Sequence, residues 1–235
     1  MQLDLRYKEI HKNQEILSDF SEEELTKSRN LFDLEESQIL PKKFDVWTSL
    51  VGLPLPTHLT HNFQTIAKRV TEALPSNTRF YKVIPQNYHW ELFIIKRPNE
   101  AVDNESLQKV PDILREVLCK QPPLTISYGG FSITPDGTVI VQGYGNFEEL
   151  RSQLRQKIPF ASLQQSRLGH VSLGRILDPV GCEYFTELKN LVQNSQNKFY
   201  GEFKVSEVKY VHEMQWYMEK RKVVAILPFS NSATC

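Results

Sequence analysis

Residues 88–92 read Tyr-His-Trp-Glu-Leu, and residues 169–173 read Gly-His-Val-Ser-Leu. Both stretches place a histidine two positions before a polar side chain, inside a run of residues that favour β-structure. In an extended strand, residues i and i+2 project from the same face. We therefore expect each histidine to share a face with the polar residue that follows it. Trp90, between the first pair, should face a hydrophobic core.

The two histidines, His89 and His170, are the candidate catalytic residues. If their strands bring them to one groove, they can act as a general acid and a general base. Two imidazoles suit cleavage of a phosphodiester, because one removes a proton from the attacking hydroxyl or water and the other protonates the leaving oxygen near neutral pH. The hydroxyl of Ser172 can donate a hydrogen bond to the phosphate. This chemistry requires no metal, and no cofactor is predicted.

The composition indicates an ordinary globular protein. The 235 residues include 28 Lys and Arg and 28 Asp and Glu, so the formal net charge is zero. That balance argues against coating long nucleic acids by charge alone, but it allows a local basic groove. No apolar run reaches the roughly 18 residues that span a bilayer, and the N-terminus lacks the order of a signal peptide. The three cysteines suggest neither a disulfide framework nor a zinc site. We expect a cytoplasmic monomer without a membrane partner.

Hydrophobic patterns predict strands and helices in a similar order in both halves of the chain. In the first half, strands are predicted at 44–53, 80–84 and 88–95, and helices at 62–74 and 105–120. In the second half, a hairpin is predicted at 124–133 and 138–141, helices at 147–158 and 182–192, and strands at 167–176, 203–217 and 222–229. This order predicts an α/β (α+β) fold with two pseudo-symmetric lobes, whose antiparallel sheets flank a central groove.

Residues 1–42 are predicted to form a helical N-terminal extension, and residues 43–235 the two-lobed domain. Ser21 precedes a run of three glutamates and is the candidate N-cap of a helix. Leu25 and Phe32 are seven residues apart, so they would form a thin apolar stripe on one helical face. The extension is therefore expected to be peripheral.

On these motifs the chain resembles the two-histidine (2H) phosphoesterases, which include the 2′-5′ RNA ligase-like RNA cyclic phosphodiesterases. Their signature is a His-x-Thr/Ser-apolar tetrad that occurs twice, about 80 residues apart. Here the histidines are 81 positions apart, and the second motif matches fully. The resemblance covers about residues 43–230. It implies a bilobal fold with one tetrad on a central strand of each lobe, and an RNA end or a nucleotide cyclic phosphate as substrate.

Glu91 departs from the pattern, because the family has Thr or Ser at this position. An ionised carboxylate cannot donate a hydrogen bond and repels a phosphodiester. Three outcomes are open: Glu91 orients His89, it binds a feature such as a ribose hydroxyl or a base amine, or the first tetrad is degenerate.

Other residues near the two strands are weaker candidates. Arg97, Arg167 and Arg175 flank the strands and are either phosphate ligands or solvated side chains, with Arg175 the preferred phosphate ligand. Tyr128 and Tyr144 either stack on a base in the groove or fill the core.

Other classes of protein also fit these residues. His89, Glu91 and His170 have the composition of the two-histidine, one-carboxylate metal site of non-haem iron oxygenases, although those enzymes have β-barrel cores. A nucleotide- or RNA-binding module without turnover would explain a degenerate first motif. A generic α/β domain whose extension recruits a partner is the remaining hypothesis.

Overall fold

The computed structural model describes residues 2–35 and 38–230, so predictions for Met1, for 36–37 and for 231–235, which include Cys235, lie outside the described residues. The helices of the described residues are α1 (Gln2–Glu15), α2 (Glu22–Arg29), α3 (Thr57–Glu72), α4 (Asn104–Leu118), α5 (Glu148–Lys157) and α6 (Cys182–Gln193). None of these helices combines the length and apolar character needed to cross a bilayer.

The strands of the described residues are β1 (Phe32–Leu34), β2 (Ile39–Pro41), β3 (Lys43–Gly52), β4 (Phe80–Lys82), β5 (His89–Lys96), β6 (Leu124–Ile133), β7 (Thr138–Tyr144), β8 (Val171–Ile176), β9 (Phe199–Val205), β10 (Glu207–Gln215) and β11 (Arg221–Pro228). Strands β1 and β2 pair with each other, and the remaining strands form one antiparallel sheet in the order β11-β10-β3-β5-β8-β7-β6-β9, with β4 also paired to β8. The predicted α+β fold with antiparallel sheets is confirmed.

The two halves of the large sheet meet at β5 and β8, and this junction consists of one residue pair, Trp90 with Val171, among the described residues. At the far ends of the strand order, only Ser206 separates β9 from β10, and its carbonyl accepts a hydrogen bond from the backbone of Phe229 after β11 at 2.9 Å. The sheet is therefore bent so far that its two ends approach each other.

The main core lies under the helices that cover the sheet. Strand β5 is buried on both faces from Leu92 to Ile95, which is typical of a strand inside a sheet that is covered on both sides. Trp90 is fully buried, as the alternation of its strand predicts. Helix α3 buries a stripe at helical spacing, which consists of Leu59, Phe63, Ile66 and Val70.

Three predicted elements differ from the structure. The strand predicted at 167–176 begins only at Val171, so His170 directly precedes β8 instead of lying in it. Helix α3 begins at Thr57 rather than at residue 62, because Pro56 directly precedes it and is compatible with a helix start. The predicted strand 203–217 is divided at Ser206 into β9 and β10, which pair with β6 and β3 at opposite ends of the strand order. Residues that favour β-structure run through the whole stretch, so the sequence does not show that the neighbouring strand changes from β6 to β3 at Ser206.

The N-terminal segment is built into the main core. The Ser21 hydroxyl accepts a hydrogen bond from the backbone of Glu24 at 3.2 Å, so the predicted N-cap is confirmed. Tyr7, Leu25 and Phe32 are buried in the same cluster as the rest of the core. The expected peripheral placement is therefore wrong, and so is the shared helical face, because the helix ends at Arg29 and Phe32 lies in β1. The division at residue 42 stays a prediction.

Replacing Leu25 with Ala should lower the free energy of unfolding by about 2–5 kcal/mol, because it removes a fully buried side chain from the common core. The matched variant Leu5→Ala, at an exposed position on α1, should change it by no more than about 0.5 kcal/mol. Guanidinium chloride denaturation measures both. Equal, small effects would mean that the segment does not belong to the core.

Candidate active site

Strands β5 and β8 meet where Trp90 pairs with the residue after His170. The strands are antiparallel, so positions equally distant from this pair on opposite sides lie across from each other. His89 is therefore across from Ser172, and Glu91 is across from His170. The two predicted motifs meet at one point of the sheet, with the histidines on one diagonal and their polar partners on the other.

A cleft of about 150 Å³ opens at this junction. Its lining residues are His89, Glu91, His170, Ser172, Arg175, Glu213, Trp216 and Tyr217. All five residues proposed for the site from the sequence thus border one cleft. A wider hollow of about 550 Å³ shares His170, Ser172 and Arg175 with it and extends to Thr134 and Thr138. The combined groove has room for a group larger than a phosphate.

Arg151, on α5, holds the two sides of the junction together. It is nearly buried, and its guanidinium donates hydrogen bonds to the carbonyls of Leu92 at 2.9 Å, Glu91 at 3.1 Å and Leu168 at 2.9 Å. The first two carbonyls belong to β5, and the third lies two residues before His170. Arg151 therefore binds the backbone on both sides of the single pair that joins the strands.

The backbone before His170 is held by α1 of the N-terminal segment. The hydroxyl of Tyr7 donates to the carbonyl of Gly143 at 3.2 Å and accepts from the amides of Gly143 and Gly169 at 3.1 and 3.3 Å. The two glycines lie so close together that a Cβ at Gly143 would come within 1.8 Å of the carbonyl oxygen of Gly169. A residue without a side chain is required there.

The ring of His89 is held in one tautomer. Its Nδ1–H donates to the carbonyl of Asn87 at 2.7 Å, so in the neutral ring Nε2 is the acceptor. Asn87 is fully buried, and its Oδ1 accepts from Arg221 at 2.7 Å. Burial lowers the pKa of His89, the hydrogen bond to Asn87 opposes this shift, and Arg221 adds to it.

His170 is neutral over the physiological range. Burial is the main cause that lowers its pKa to about 4; the positive charges of His89 and Arg151 act in the same direction, and Asp136 opposes them. Its Nδ1 is buried and has no hydrogen-bond partner among the described residues. The imidazole is therefore positioned by packing and by the backbone before it.

Arg175 is oriented by three separate elements. Its Nε donates to the hydroxyl of Tyr217 at 2.7 Å, and one terminal nitrogen donates to Ser28 on α2 and to Asp136 after β6, each at 2.8 Å. None of the described residues accepts from its other terminal nitrogen, Nη2. The guanidinium is thus fixed beside Ser172 with one nitrogen left for a ligand.

Glu91 contacts neither ring nitrogen of His89 in the described hydrogen bonds. Its Oε1 accepts from the hydroxyl of Thr48 at 3.2 Å, while the Nδ1–H of His89 binds a backbone carbonyl. Burial raises the pKa of Glu91, and Arg97, Thr48 and Arg151 partly oppose the shift. The structure does not form the contact in which Glu91 would orient His89.

Three lining residues were not expected from the sequence: Glu213, Trp216 and Tyr217. Glu213 is buried, which raises its pKa to about 8, and its carboxylate accepts from the backbone of Met218 at 2.8 Å against that shift. Tyr217 and Met218 both have left-handed backbone angles, φ +61° and +60°, which are costly for residues with a Cβ. The sequence contained one indication of this part of the site: Glu213 is an acidic residue within a predicted strand that is rich in aromatic residues.

Other candidates lie outside the cleft. Arg97 donates through Nε to the carbonyl of Gln164 at 2.9 Å. The backbone carbonyl of Arg167 accepts a hydrogen bond from the guanidinium of Arg6. Tyr128 is fully buried in the core, and Tyr144 donates to Gln142 at 2.6 Å. For Tyr128, the alternative of filling the core is the correct one.

The metal-site alternative is not supported by the geometry. Within residues 2–35 and 38–230, no group of three or more His, Cys, Asp or Glu side chains is arranged so that it could hold a metal ion. His89, Glu91 and His170 border one cleft without forming a ligand set, and the interleaved helices differ from the β-barrel of the oxygenases.

No protein-family model matches this chain, and no curated protein matches it. Solved structures do match it. The 2′-5′ RNA ligase LigT of E. coli, in its apo form, aligns with a TM-score of 0.53 at 13% identity, over 80% of this chain and 99% of LigT. The fold is that of the two-histidine phosphoesterases.

Two further structures with this two-histidine phosphoesterase fold match over similar spans. The protein TT0787 of Thermus thermophilus has a TM-score of 0.56 at 13% identity, over 78% of this chain and 97% of its own. A structure described as a phosphoesterase has a TM-score of 0.51 at 14% identity, over 80% and 99%. The resemblance predicted from the two motifs is confirmed at the level of the fold.

In an NMR titration of the free protein, the imidazole of His170 should titrate near pH 4, well below the value of about 6.5 for an exposed histidine. The unfolded chain then binds more protons than the folded one between these pH values. The contribution of His170 to the free energy of unfolding is therefore constant above about pH 6.5, and it decreases as the pH falls towards 4. The variant His170→Gln assigns the resonance and should lose this part of the pH dependence of stability. An unshifted pKa would contradict the buried placement.

Proposed function

We propose that this protein is a metal-independent phosphodiesterase that hydrolyses a nucleotide cyclic phosphate or an RNA-like phosphodiester, with His89 and His170 as the acid–base pair. The supporting observation is the β5–β8 junction, which brings both histidines and their polar partners to one cleft. Neither histidine is assigned as acid or base.

In hydrolysis of a cyclic phosphate, one neutral imidazole accepts the proton of the water that attacks phosphorus. The other, protonated, imidazole gives its proton to the ribose oxygen that leaves, so the net reaction adds one water and yields a phosphomonoester. Both histidines have lowered pKa values in the free protein. An anionic phosphate between them favours the charged form, so binding of the substrate supplies the protonated partner that catalysis needs.

The phosphate would be held from the second strand. Ser172 offers a hydroxyl, and Arg175 offers an anchored guanidinium with one nitrogen free of partners among the described residues. Because Tyr217, Ser28 and Asp136 fix its orientation, little side-chain entropy is lost when it binds the anion. Together they balance the charge that develops on the phosphate oxygens in the transition state.

Structures of LigT are known in complex with 3′-AMP and with NADP⁺, at 12% identity and TM-scores of 0.50 and 0.52. These complexes support a nucleotide-type ligand for the shared fold, and they agree with a groove larger than a phosphate. Cytoplasmic location and a monomeric state stay predictions.

Assays with 2′,3′-cyclic nucleotides, a 2′,3′-cyclic phosphate RNA end and 2′-5′-linked oligonucleotides, each with and without chelator, test the function. His89→Ala and His170→Ala should each lower kcat/KM by about 10²–10⁴-fold, because each removes a proton-transfer group. Activity should be the same with chelator.

His61→Ala is the matched control, because this histidine is exposed on α3 and distant in sequence from both motifs. It should leave turnover unchanged. Binding of the nucleotides without turnover would instead identify a binding module, and loss of activity on chelation would refute the metal-independent mechanism.

The pH dependence of kcat/KM should be bell-shaped and centred below about pH 6.5, because burial lowers the pKa of both histidines in the free protein. The profile of kcat should be shifted to higher pH, because the bound anion raises both pKa values. Steady-state kinetics from pH 4 to 9 measures both. A profile without limbs across this range would contradict acid–base catalysis by the two rings.

A further inference from the structure

Glu91 occupies in the first motif the position that Ser172 occupies in the second. Both side chains border the cleft. Across the junction, Glu91 is opposite His170 just as Ser172 is opposite His89. The side chain of Glu91 therefore borders the same cleft as the hydroxyl of Ser172, in which a phosphate held between the two histidines would lie.

One oxygen of this carboxyl group is already engaged. The hydroxyl of Thr48, which is fully buried in β3, lies at hydrogen-bond distance from two acceptors, Oε1 of Glu91 and the carbonyl oxygen of Phe93, each at 3.2 Å. No described residue donates a hydrogen bond to Oε2. Oε2 is the oxygen available to a ligand in the cleft.

Charged and titratable groups surround Glu91 on several elements, but none of the described ones forms an ion pair with its carboxyl group. These groups are His89 on β5, Arg97 after β5, Arg151 on α5, His170 before β8 and Glu213 on β10. Arg97 donates a side-chain hydrogen bond to the carbonyl of Gln164. Arg151 donates to the carbonyls of Leu92, Leu168 and Glu91 itself, and it forms an ion pair with Glu148 at 3.2 Å. The two arginines reduce the cost of a charge on Glu91 without neutralising it.

Glu213 adds a second carboxyl group to the same cleft. It is 6% exposed, and it lies near enough to Glu91 for each charge to disfavour the other. Burial raises the pKa of both groups. Two buried carboxyl groups without a paired cation retain a proton between them at a pH where an exposed pair would be fully ionised.

We propose that Glu91, as a neutral carboxylic acid, donates a hydrogen bond from Oε2 to the phosphate of the substrate, the role that a hydroxyl has at Ser172. This role rests on the proposed phosphodiester function. The phosphate of a phosphodiester has only hydrogen-bond acceptors, so a side chain that binds it from the position of Glu91 must be a hydrogen-bond donor. When the Thr48 hydroxyl donates to Oε1, the proton of the carboxylic acid lies on Oε2. The anion in turn favours the neutral acid, so phosphate binding and protonation of Glu91 reinforce each other.

Three substitutions separate a donor from an acceptor at this position. Glu91→Gln and Glu91→Thr retain a donor that does not titrate, whereas Glu91→Leu removes it. At pH 6, Glu91→Leu should have a kcat/KM on the order of 10- to 100-fold below that of Glu91→Gln and Glu91→Thr. In wild type, ionisation of Glu91 should contribute to the decrease of kcat/KM at alkaline pH. Glu91→Gln and Glu91→Thr should lack this contribution. Glu183→Gln, at an exposed position on α6, is the matched control and should behave as wild type.

Sulfate binding to the full chain gives a readout that is independent of turnover, because sulfate is a tetrahedral anion that does not titrate between about pH 5 and 8. Isothermal titration calorimetry should show that its affinity falls with rising pH more steeply in wild type than in Glu91→Gln. The two histidines are present in both proteins, so the difference between the two slopes reports the carboxyl pair of Glu91 and Glu213, in which only Glu91 is changed. Glu91→Leu should bind sulfate more weakly than Glu91→Gln throughout.

The outcomes distinguish this role from the proposed function. Equal losses in Glu91→Gln and Glu91→Leu, with parallel sulfate slopes, would show that Glu91 acts as an ionised acceptor, for example for a ribose hydroxyl, and would overturn the proposal. If wild type hydrolyses none of the diesters but shows the Glu91-dependent sulfate binding, the phosphodiesterase function fails while the donor role of Glu91 stands.

Discussion

The geometry of the site depends on how the backbone is held where the two halves of the sheet meet. One residue pair joins β5 and β8, and ordinary ladder hydrogen bonds do not extend this junction among the described residues. Arg151 replaces them by binding carbonyls on both sides, with its guanidinium 4.5 Å from the ring of Phe147. Breaking such an arrangement would leave buried carbonyls unpaired, which is costly. The two histidines are therefore placed by backbone contacts rather than by each other.

The same burial sets the electrostatics of the cleft. Removing imidazoles and carboxyl groups from water disfavours their charged forms, so His170 is neutral at neutral pH and Glu213 retains its proton up to about pH 8. Arg175 is charged, as a guanidinium is throughout the physiological pH range, and Asp136 and Tyr217 fix its orientation. The free cleft thus combines one anchored cation with imidazoles and carboxyl groups whose charged forms are disfavoured by burial. A bound phosphate anion favours the protonated forms of all of them.

The N-terminal segment contributes to the site as well as to the core. Tyr7 holds the backbone just before His170, and Ser28 accepts a hydrogen bond from Arg175. Its sequence does not show this, because the segment is charged and its apolar residues are few. Tyr7, Leu25 and Phe32 become part of one core only when α1, α2 and β1 fold back against the sheet. Contacts between residues so far apart along the chain carry no periodic signal.

Local patterns in the sequence were sufficient for most of the helices and strands after residue 43, for the burial of Trp90 and for the pairing of each histidine with a polar residue, because the alternation of side chains along a strand is a local property. The resemblance to the two-histidine phosphoesterases, which the two motifs and their spacing carry, also indicated the fold. Only the tertiary structure placed Glu213 and Tyr217 in the cleft, divided the last strands between two ends of the sheet and removed Tyr128 from the groove. These features depend on which strands become neighbours and on how far water is excluded, and both are decided by packing of the whole chain.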